Sequence, residues 1–119
     1  MIDFSKYMKH DEIHSTVIPE AELRTGATSK FLDKAIELTK MYAKKNHDYG
    51  DSFNKGMDTI GLSYGIGRMF DKMNRIVNLS KTKAQVTDES IIDTIQDLAC
   101  YAIMTAVYID SKIEDVNFE

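Results

Sequence analysis

The sequence Asp88-Glu-Ser-Ile-Ile-Asp-Thr-Ile-Gln-Asp-Leu-Ala-Cys-Tyr101 decides the fold of this chain. It predicts the first half of a long helix that runs to about Ser111, with Thr87 or Asp88 as the N-cap. The acidic residues at its start lie where the helix dipole favours negative charge. At about 100° per residue, one broad apolar stripe forms the expected core face. Its members are Ile91, Ile92, Ile95, Leu98, Ala99, Ala102, Ala106 and Ile109.

A second stripe of the same helix begins with acids at every fourth residue, Glu89, Asp93 and Asp97. It then becomes apolar, through Cys100, Tyr101, Met104 and Tyr108. Because a solvent face would be expected to stay polar, we expect another helix or another subunit to cover this stripe. Carboxylates on a covered face are costly unless a cation meets them. Two aspartates four residues apart can share one divalent cation, and pairing with Lys or Arg or a solvated patch is the alternative.

Composition restricts the class of protein. The chain has 119 residues, enough for one domain with its own core, and its 43% hydrophobic and 29% charged residues are typical of a soluble protein. A net charge of −4 argues against a nucleic-acid polymer as the main partner. No apolar run is long enough for a membrane span. The single cysteine, Cys100, indicates no disulfide framework and favours a cytoplasmic location.

No strand pattern is present, so the sequence predicts an all-α protein. Three main helices are expected, at about residues 29–46, 62–81 and 88–111. Residues 1–29 are interpreted as an irregular N-terminal arm, residues 30–112 as the helical domain, and residues 113–119 as an acidic tail.

The second long helix also has two faces. Its expected core stripe comprises Ile66, Met69, Phe70, Met73, Ile76 and Val77. The other face carries Arg68, Asp71, Lys72 and Arg75. These four residues fit a salt-bridge ladder in solvent. They also fit a complement to the acidic stripe, with Asp71 as a metal ligand and the bases receiving phosphate oxygens.

Between the first two helices, residues 47–61 predict a long connection with three glycines, and such connections are often functional. A helix C-cap at Gly50 followed by ordinary turns is the alternative. The side chains that can approach a ligand or stack on a ring here are Lys45, Asp48, Tyr49, Ser52 and Phe53.

Two other metal chemistries are disfavoured. His10 and His14 have the spacing of a zinc protease, but Asp11 stands where that motif has Glu, and no third ligand is evident. A histidine–aspartate phosphohydrolase generally needs a longer chain and more than the three histidines present.

Three blocks carry a resemblance to a known family: residues 45–53, residues 68–75 and residues 88–102. In order and spacing they resemble the nucleotide modification associated domain 1 family of phages and bacteria, which is similar in turn to the MazG-like all-α nucleoside triphosphate pyrophosphatases. The likeness covers about residues 30–110.

The resemblance implies a helical bundle completed by oligomerisation, as a homo-dimer or homo-tetramer, with Mg²⁺ (or Mn²⁺) held by acids of two helices. It implies cleavage of a nucleoside triphosphate between the α and β phosphates. The implied metal ligands are Asp71, Glu89, Asp93 and Asp97, of which Glu89, Asp93 and Asp97 are also the candidate catalytic acids. The implied substrate-binding residues are Lys45, Asp48, Tyr49, Arg68, Lys72 and Arg75.

The resemblance therefore leads us to expect a Mg²⁺-dependent (deoxy)nucleoside triphosphate pyrophosphatase of phage nucleotide-pool metabolism. The sequence departs from the MazG pattern at one helix, where only Asp71 stands in place of a Glu-Glu-x-x-Glu cluster. That difference favours an alternative, a protein that binds and sequesters a nucleotide or cyclic nucleotide without cleaving it. A structural protein whose acidic and basic faces pair between subunits is a third interpretation.

Overall fold

The computed structural model describes residues 17–49, 51–81 and 88–118. For residues 48–49, 88–90 and 115–118 it describes the backbone but not the side chains. These ranges are helical and contain no strand, which confirms the predicted all-α class. The helices are α1 (Glu20–Leu23), α2 (Gly26–Tyr49), α3 (Ser52–Ile60), α4 (Leu62–Lys81) and α5 (Asp88–Phe118). The chain divides into two compact units, Met1–Gly50 and Asp51–Glu119.

The first unit consists of the short helix α1 followed by the long helix α2. The carbonyl of Pro19 accepts the N–H of Glu22 at 2.9 Å, which closes the first turn of α1. Gly26 has a φ of 57°, a left-handed conformation that glycine adopts without strain, and α2 begins at this residue. Leu38 is the buried hydrophobic side chain that the structure describes on α2.

In the second unit, α4 and α5 run antiparallel. Residue numbers rise along α4 while those of their contacts fall along α5. The contacting pairs are Gly65 with Thr105, Arg68 with Tyr101, and Lys72 with Asp97.

The two helices approach closely at Gly65. A Cβ atom at this position would lie 2.8 Å from Oγ1 of Thr105 and 3.2 Å from Sδ of Met57. Gly65 and Thr105 are both buried, and so is Thr94, about three turns before Thr105 on α5. Small side chains therefore line the contact, which lets the two backbones come together.

Helix α3 packs across one end of this hairpin. Its residue Met57 is only 1% exposed, and its Phe53 ring lies 5.7 Å from the ring of Tyr64, centroid to centroid. Gly61 ends the helix with a φ of 98°, and its N–H donates to the carbonyl of Met57 at 2.8 Å. The single residue Gly61 joins α3 to α4.

The sequence-based prediction of a connection over residues 47–61 is wrong for most of its length. Helix α2 continues to Tyr49, and residues 52–60 form α3. The apolar residues Phe53, Met57 and Ile60 recur at helical spacing and indicate a helix, whereas the three glycines of residues 47–61 favour a loop. A Cβ atom at position 56 would collide with the ring of Tyr64, so the close packing of this ring favours glycine within α3.

Of the predicted long helices, the second is confirmed at residues 62–81. The first is longer than predicted, because it covers Gly26–Tyr49 rather than 29–46. The third begins at Asp88 as predicted but continues to Phe118 instead of ending near Ser111. No glycine or proline follows Ser111, so the sequence contains no residue that would stop the helix there.

The predicted core stripes of α4 and α5 are wrong for the single chain, because much of each is exposed. Phe70 is 67% exposed, and Ile92 and Ile95 are each about half exposed. The second stripe of α5 instead faces α4, where Thr105 is buried and Tyr101 is half-buried. The expectation that another helix covers this second stripe is confirmed from Asp97 to Tyr108, whereas Asp93 is exposed and the side chain of Glu89 is outside the described set.

Candidate functional site

An ion pair joins the two helices that carry the predicted site. Nζ of Lys72 lies 3.4 Å from Oδ2 of Asp97, and about a quarter of each side chain is exposed. One turn away, Nη2 of Arg68 donates to the hydroxyl of Tyr101 at 3.0 Å. We call Arg68, Lys72 and Arg75 the basic row of α4. The structure brings Lys72 of this row against Asp97 of the acidic stripe, and Arg68 against Tyr101.

The other charged residues predicted for the site on α4 and α5, namely Asp71, Arg75 and Asp93, lie on the same side of the hairpin as this ion pair. At about 100° per residue, Asp71 and Arg75 project from one flank of α4, and Asp93 projects from the corresponding flank of the antiparallel α5. All three are exposed. We call this side the charged face, and it comprises Arg68, Asp71, Lys72, Arg75, Asp93 and Asp97.

The charged face offers oxygen ligands that suit a hard divalent cation. Asp93 and Asp97 are one turn apart on α5, and Mg²⁺ is commonly held by one or two carboxylates together with substrate phosphates. Among the described residues, no three His, Cys, Asp or Glu side chains form a metal-binding group. The side chain of Glu89, the remaining predicted acid, is outside the described set. The donor set thus fits a cation that is bound jointly with a phosphorylated ligand.

Aromatic rings adjoin the charged face at the α3 end. The Phe53 ring lies 5.7 Å from Tyr64 and 6.1 Å from Tyr101, and the guanidinium carbon of Arg68 lies 5.2 Å from the Tyr101 centroid. The hydrogen bond to Tyr101 raises the pKa of Arg68 above its ordinary value, although desolvation opposes the rise. Arg68 is therefore held as a fixed positive charge beside a cluster of rings.

Two of these rings, Tyr64 and Tyr101, were not assigned to the site from the sequence. A usable signal was present, because Tyr101 follows Asp97 by four residues and Arg68 precedes Lys72 by four. Two antiparallel helices that join Lys72 to Asp97 must place Arg68 near Tyr101 one turn further along.

A second polar contact fastens α3 to the C-terminal half of α5. The hydroxyl of Tyr108 donates to Oδ1 of Asp58 at 2.6 Å, and Nζ of Lys112 lies 3.8 Å from the same oxygen. Desolvation, together with the hydrogen bond to Asp58 and its charge, raises the pKa of Tyr108 to about 12. This cluster holds α3, and with it Phe53, in position against α5.

The other predicted substrate-binding residues lie in the first unit. Lys45 is exposed on α2, whereas the side chains of Asp48 and Tyr49, near the end of that helix, fall outside the described set. The histidines of the disfavoured zinc motif, His10 and His14, are outside the described residues as well.

A model of the family described as nucleotide modification associated domain 1 matches residues 45–109, which is more than half of the chain. The chain belongs to this family. The match includes the end of α2, all of α3 and α4, and α5 as far as Ile109, so the nucleotide modification associated domain contains the entire charged face. No curated protein and no solved structure matches the chain. In the described part of the chain, no helix has the length and apolar character required to cross a membrane.

Proposed function

We propose that this protein is a Mg²⁺-dependent (deoxy)nucleoside triphosphate pyrophosphatase, similar to the MazG-like enzymes, that releases a nucleoside monophosphate and pyrophosphate. It would act as a cytoplasmic homo-oligomer in phage nucleotide-pool metabolism. The observation that carries the proposal is the ion pair between Lys72 and Asp97, since it joins the acids of α5 to the basic row of α4. Membership of a family associated with nucleotide modification supports a nucleotide as the ligand.

The charge pattern of this surface suits a polyphosphate with a cation. The charged face has as many bases as acids, so it does not repel a triphosphate as an acidic stripe alone would. Arg68, Lys72 and Arg75 can donate to phosphate oxygens, with the planar guanidinium groups suited to two oxygens at once. Asp71, Asp93 and Asp97 present oxygens to the cation.

Each part of the surface then has a separate role. When bound, Mg²⁺ would neutralise charge that develops on the phosphate oxygens. The bases would hold the phosphate chain, and a carboxylate of α5 would orient and deprotonate the attacking water. The rings of Phe53, Tyr64 and Tyr101 offer apolar surface near Arg68 on which a nucleobase can stack.

Lys72 would have two states in this scheme. Without a nucleotide it pairs with Asp97, which balances the partly buried carboxylate. With a triphosphate and a divalent cation present, Asp97 would help to hold the cation, and the ammonium group of Lys72 would be free to bind a phosphate oxygen. The scheme therefore places cation binding and phosphate binding in the same step.

Product analysis tests the catalytic proposal. The purified protein is incubated with Mg²⁺ and each common or base-modified ribo- or deoxyribonucleoside triphosphate, and monophosphate and pyrophosphate are measured. Asp97→Asn should lower turnover by on the order of 100-fold or more, as the loss of one charge-stabilising group commonly does. Asp110→Asn is the matched control, because it makes the same change at an exposed acid further along α5. If no substrate yields pyrophosphate, or if the Asp97 variant retains full turnover, this activity is excluded.

One observation favours a second candidate, a protein that binds nucleotides without cleaving them. Among the described residues no three acidic or other ligating side chains come together, and Asp97 is already paired with Lys72. A binding protein needs the bases and rings but not a complete metal set. In this case, a nucleotide or cyclic nucleotide that raises the melting temperature would be recovered intact after the complex is denatured. Recovery of monophosphate would instead support the enzyme.

A further inference from the structure

Tyr101 contacts Arg68 in two ways at the end of the charged face that adjoins α3. Its hydroxyl accepts a hydrogen bond from Nη2 of Arg68 at 3.0 Å, and its ring centroid lies 5.2 Å from the guanidinium carbon. A hydrogen bond and a cation–π contact therefore act on the same group. Arg68 is exposed, whereas Tyr101 is half-buried. A guanidinium that is open to solvent is thus held by a tyrosine of the neighbouring helix.

Tyr101 is itself anchored on two sides. Its ring lies 6.1 Å from the Phe53 ring of α3, centroid to centroid, and the two planes are tilted by 39°. Its backbone lies beside the closest approach of α4 and α5, since its carbonyl accepts the hydroxyl of Thr105 at 2.7 Å and Thr105 is buried next to Gly65. The position of Arg68 therefore depends on packing that involves all three helices of the second unit.

A phosphate-binding arginine gains affinity when it is held before its ligand arrives. A free arginine side chain has many rotamers and loses that freedom on binding a phosphate. At Arg68 the contacts with Tyr101 already restrict the guanidinium within the folded chain. The hydrogen bond to Tyr101 uses one of its five N–H donors, so others are available for phosphate oxygens.

Arg68 is also the member of the basic row that lies nearest the rings. Lys72 and Arg75 follow it along α4 by about 6 Å and about 10 Å of helix rise, in the direction that leads away from α3. A nucleobase stacked on Phe53 or Tyr101 would therefore bring the first phosphate of its chain to Arg68. The later phosphates would extend toward Lys72 and Arg75.

We propose that Tyr101 is a positioning residue, whose hydroxyl holds the Arg68 guanidinium ready to receive the phosphate that adjoins the nucleoside. This inference rests on the proposed nucleotide site and gives the ligand a direction along α4. The base lies at the rings, the first phosphate at Arg68, and the later phosphates toward Arg75. The bond between the α and β phosphates then lies near Lys72 and Asp97.

Isothermal titration calorimetry with a non-hydrolysable ligand tests this role. The probes are the α,β-methylene analogues of dATP, dGTP, dCTP and dTTP with Mg²⁺, and the analogue that wild type binds most tightly is used for the variants. Tyr101→Phe keeps the ring but removes the hydroxyl. It should weaken binding by roughly 2- to 12-fold, which corresponds to the cost of ordering one long side chain.

Tyr108→Phe is the matched control. It removes a hydroxyl from another tyrosine of α5, whose partner is Asp58 rather than Arg68. Because Met57, which is 1% exposed, also anchors α3, the affinity should change by less than about 2-fold. An equal loss of affinity in both tyrosine variants would overturn the proposal.

A double-mutant cycle separates positioning from a general structural effect. Arg68→Met should weaken binding at least about 10-fold, because it removes a charged hydrogen-bond donor. In the Arg68→Met background, Tyr101→Phe should cause no further loss, since the hydroxyl acts through Arg68. Wild-type affinity of Tyr101→Phe, or the same loss with and without Arg68, would refute the positioning role.

Arg68→Lys gives an answer even if Tyr101→Phe does not fold. It keeps the charge but has no planar group for Tyr101 to hold, so it should also weaken binding by roughly 2- to 12-fold, and unchanged affinity would contradict the proposal. The corresponding nucleoside monophosphate should compete with the analogue, and Arg68→Lys should weaken it by a similar factor. A monophosphate that does not compete, or that this variant leaves unaffected, would overturn the placement of the first phosphate at Arg68.

Product analysis distinguishes failure of this role from failure of the proposed activity. If wild type releases pyrophosphate from a natural triphosphate while Tyr101→Phe binds the analogue as wild type does, the positioning role is wrong and the activity stands. If wild type cleaves no triphosphate but Tyr101→Phe weakens binding as expected, the activity is wrong and the positioning role stands. Binding of none of the analogues by wild type would overturn the positioning role.

Discussion

The replacement of Gly65 by alanine probes the contact between α4 and α5, on which the charged face depends. The added Cβ would meet Oγ1 of Thr105 at 2.8 Å and its Cγ2 at 3.2 Å. Thr105 cannot easily rotate away, because it is 5% exposed and its hydroxyl donates to the carbonyl of Tyr101 at 2.7 Å. The helices must therefore move apart, or the Thr105 hydrogen bond must break.

The expected magnitude follows from two opposing terms. Glycine to alanine within a helix ordinarily stabilises by about 0.5–1 kcal/mol. Overpacking of a close contact costs about 1–3 kcal/mol. We expect Gly65→Ala to lower the free energy of unfolding by about 1–2 kcal/mol. In a small domain, each kcal/mol lowers the melting temperature by roughly 4–8 °C.

Gly67→Ala is the matched control on the same helix. No atom lies within 4 Å of its added Cβ, so it should raise the free energy of unfolding by about 0.5–1 kcal/mol. Urea unfolding followed by circular dichroism, at one fixed chain concentration, compares the two variants. If both variants stabilise the chain equally, α4 and α5 do not approach at Gly65, and the placement of Lys72 beside Asp97 loses its structural basis.

Two further predictions concern the polar contacts of the second unit. Tyr108→Phe removes the hydrogen bond to Asp58 and should cost about 1 kcal/mol near neutral pH. Because the folded state raises the pKa of Tyr108 to about 12 from an ordinary value near 10, wild-type stability should fall between pH 10 and 12 as the unfolded state loses this proton more readily. Urea titrations at several pH values should show the difference between wild type and variant shrinking over that window, and a constant difference would contradict the assignment. For the ion pair, a double-mutant cycle of Lys72→Met and Asp97→Asn should give a coupling of about 0.2–1 kcal/mol, since both side chains are partly exposed. A coupling indistinguishable from zero would contradict this expectation.

The sequence predicts the helical class and the long helices well, because their periodicity is local information. The start of α5 at Asp88 and both bounds of α4 agree with the prediction. The end of α5 differs, because an acidic composition after Ser111 was interpreted as a tail although it contains no helix-breaking residue. Helix α3 is not predicted, because the three glycines of residues 47–61 favour a loop more strongly than the spacing of Phe53, Met57 and Ile60 favours a helix.

Periodicity shows which residues share a face but not which face meets another helix. α5 has apolar residues on two sides, and the bulkier side, with Ile92 and Ile95, was predicted to be the core. The structure instead buries Thr105 against Gly65 of α4, where small side chains permit a close approach, and it also buries Thr94. The choice between the two faces depends on the partner helix, and no pattern within α5 contains that information.

For the candidate site, the sequence supplies the acids and bases but not their pairing. The basic row and the acidic stripe were identified separately, and the contact of Lys72 with Asp97 requires the antiparallel register of the hairpin. That register is set by Gly65 against Thr105, a contact between positions 40 residues apart in the chain. The assignments of Asp71, Glu89, Asp93 and Asp97 to a metal remain predictions.

The one-residue joint at Gly61 limits how this domain can vary. Its φ of 98° and ψ of −167° lie in a region that essentially only glycine occupies. An insertion or a bulkier residue at position 61 would change the angle between α3 and α4 and move Phe53 away from the rings of Tyr64 and Tyr101. Functional variants from a saturation library should therefore retain glycine at this position and accept no insertion there, even where the neighbouring surface tolerates wide change.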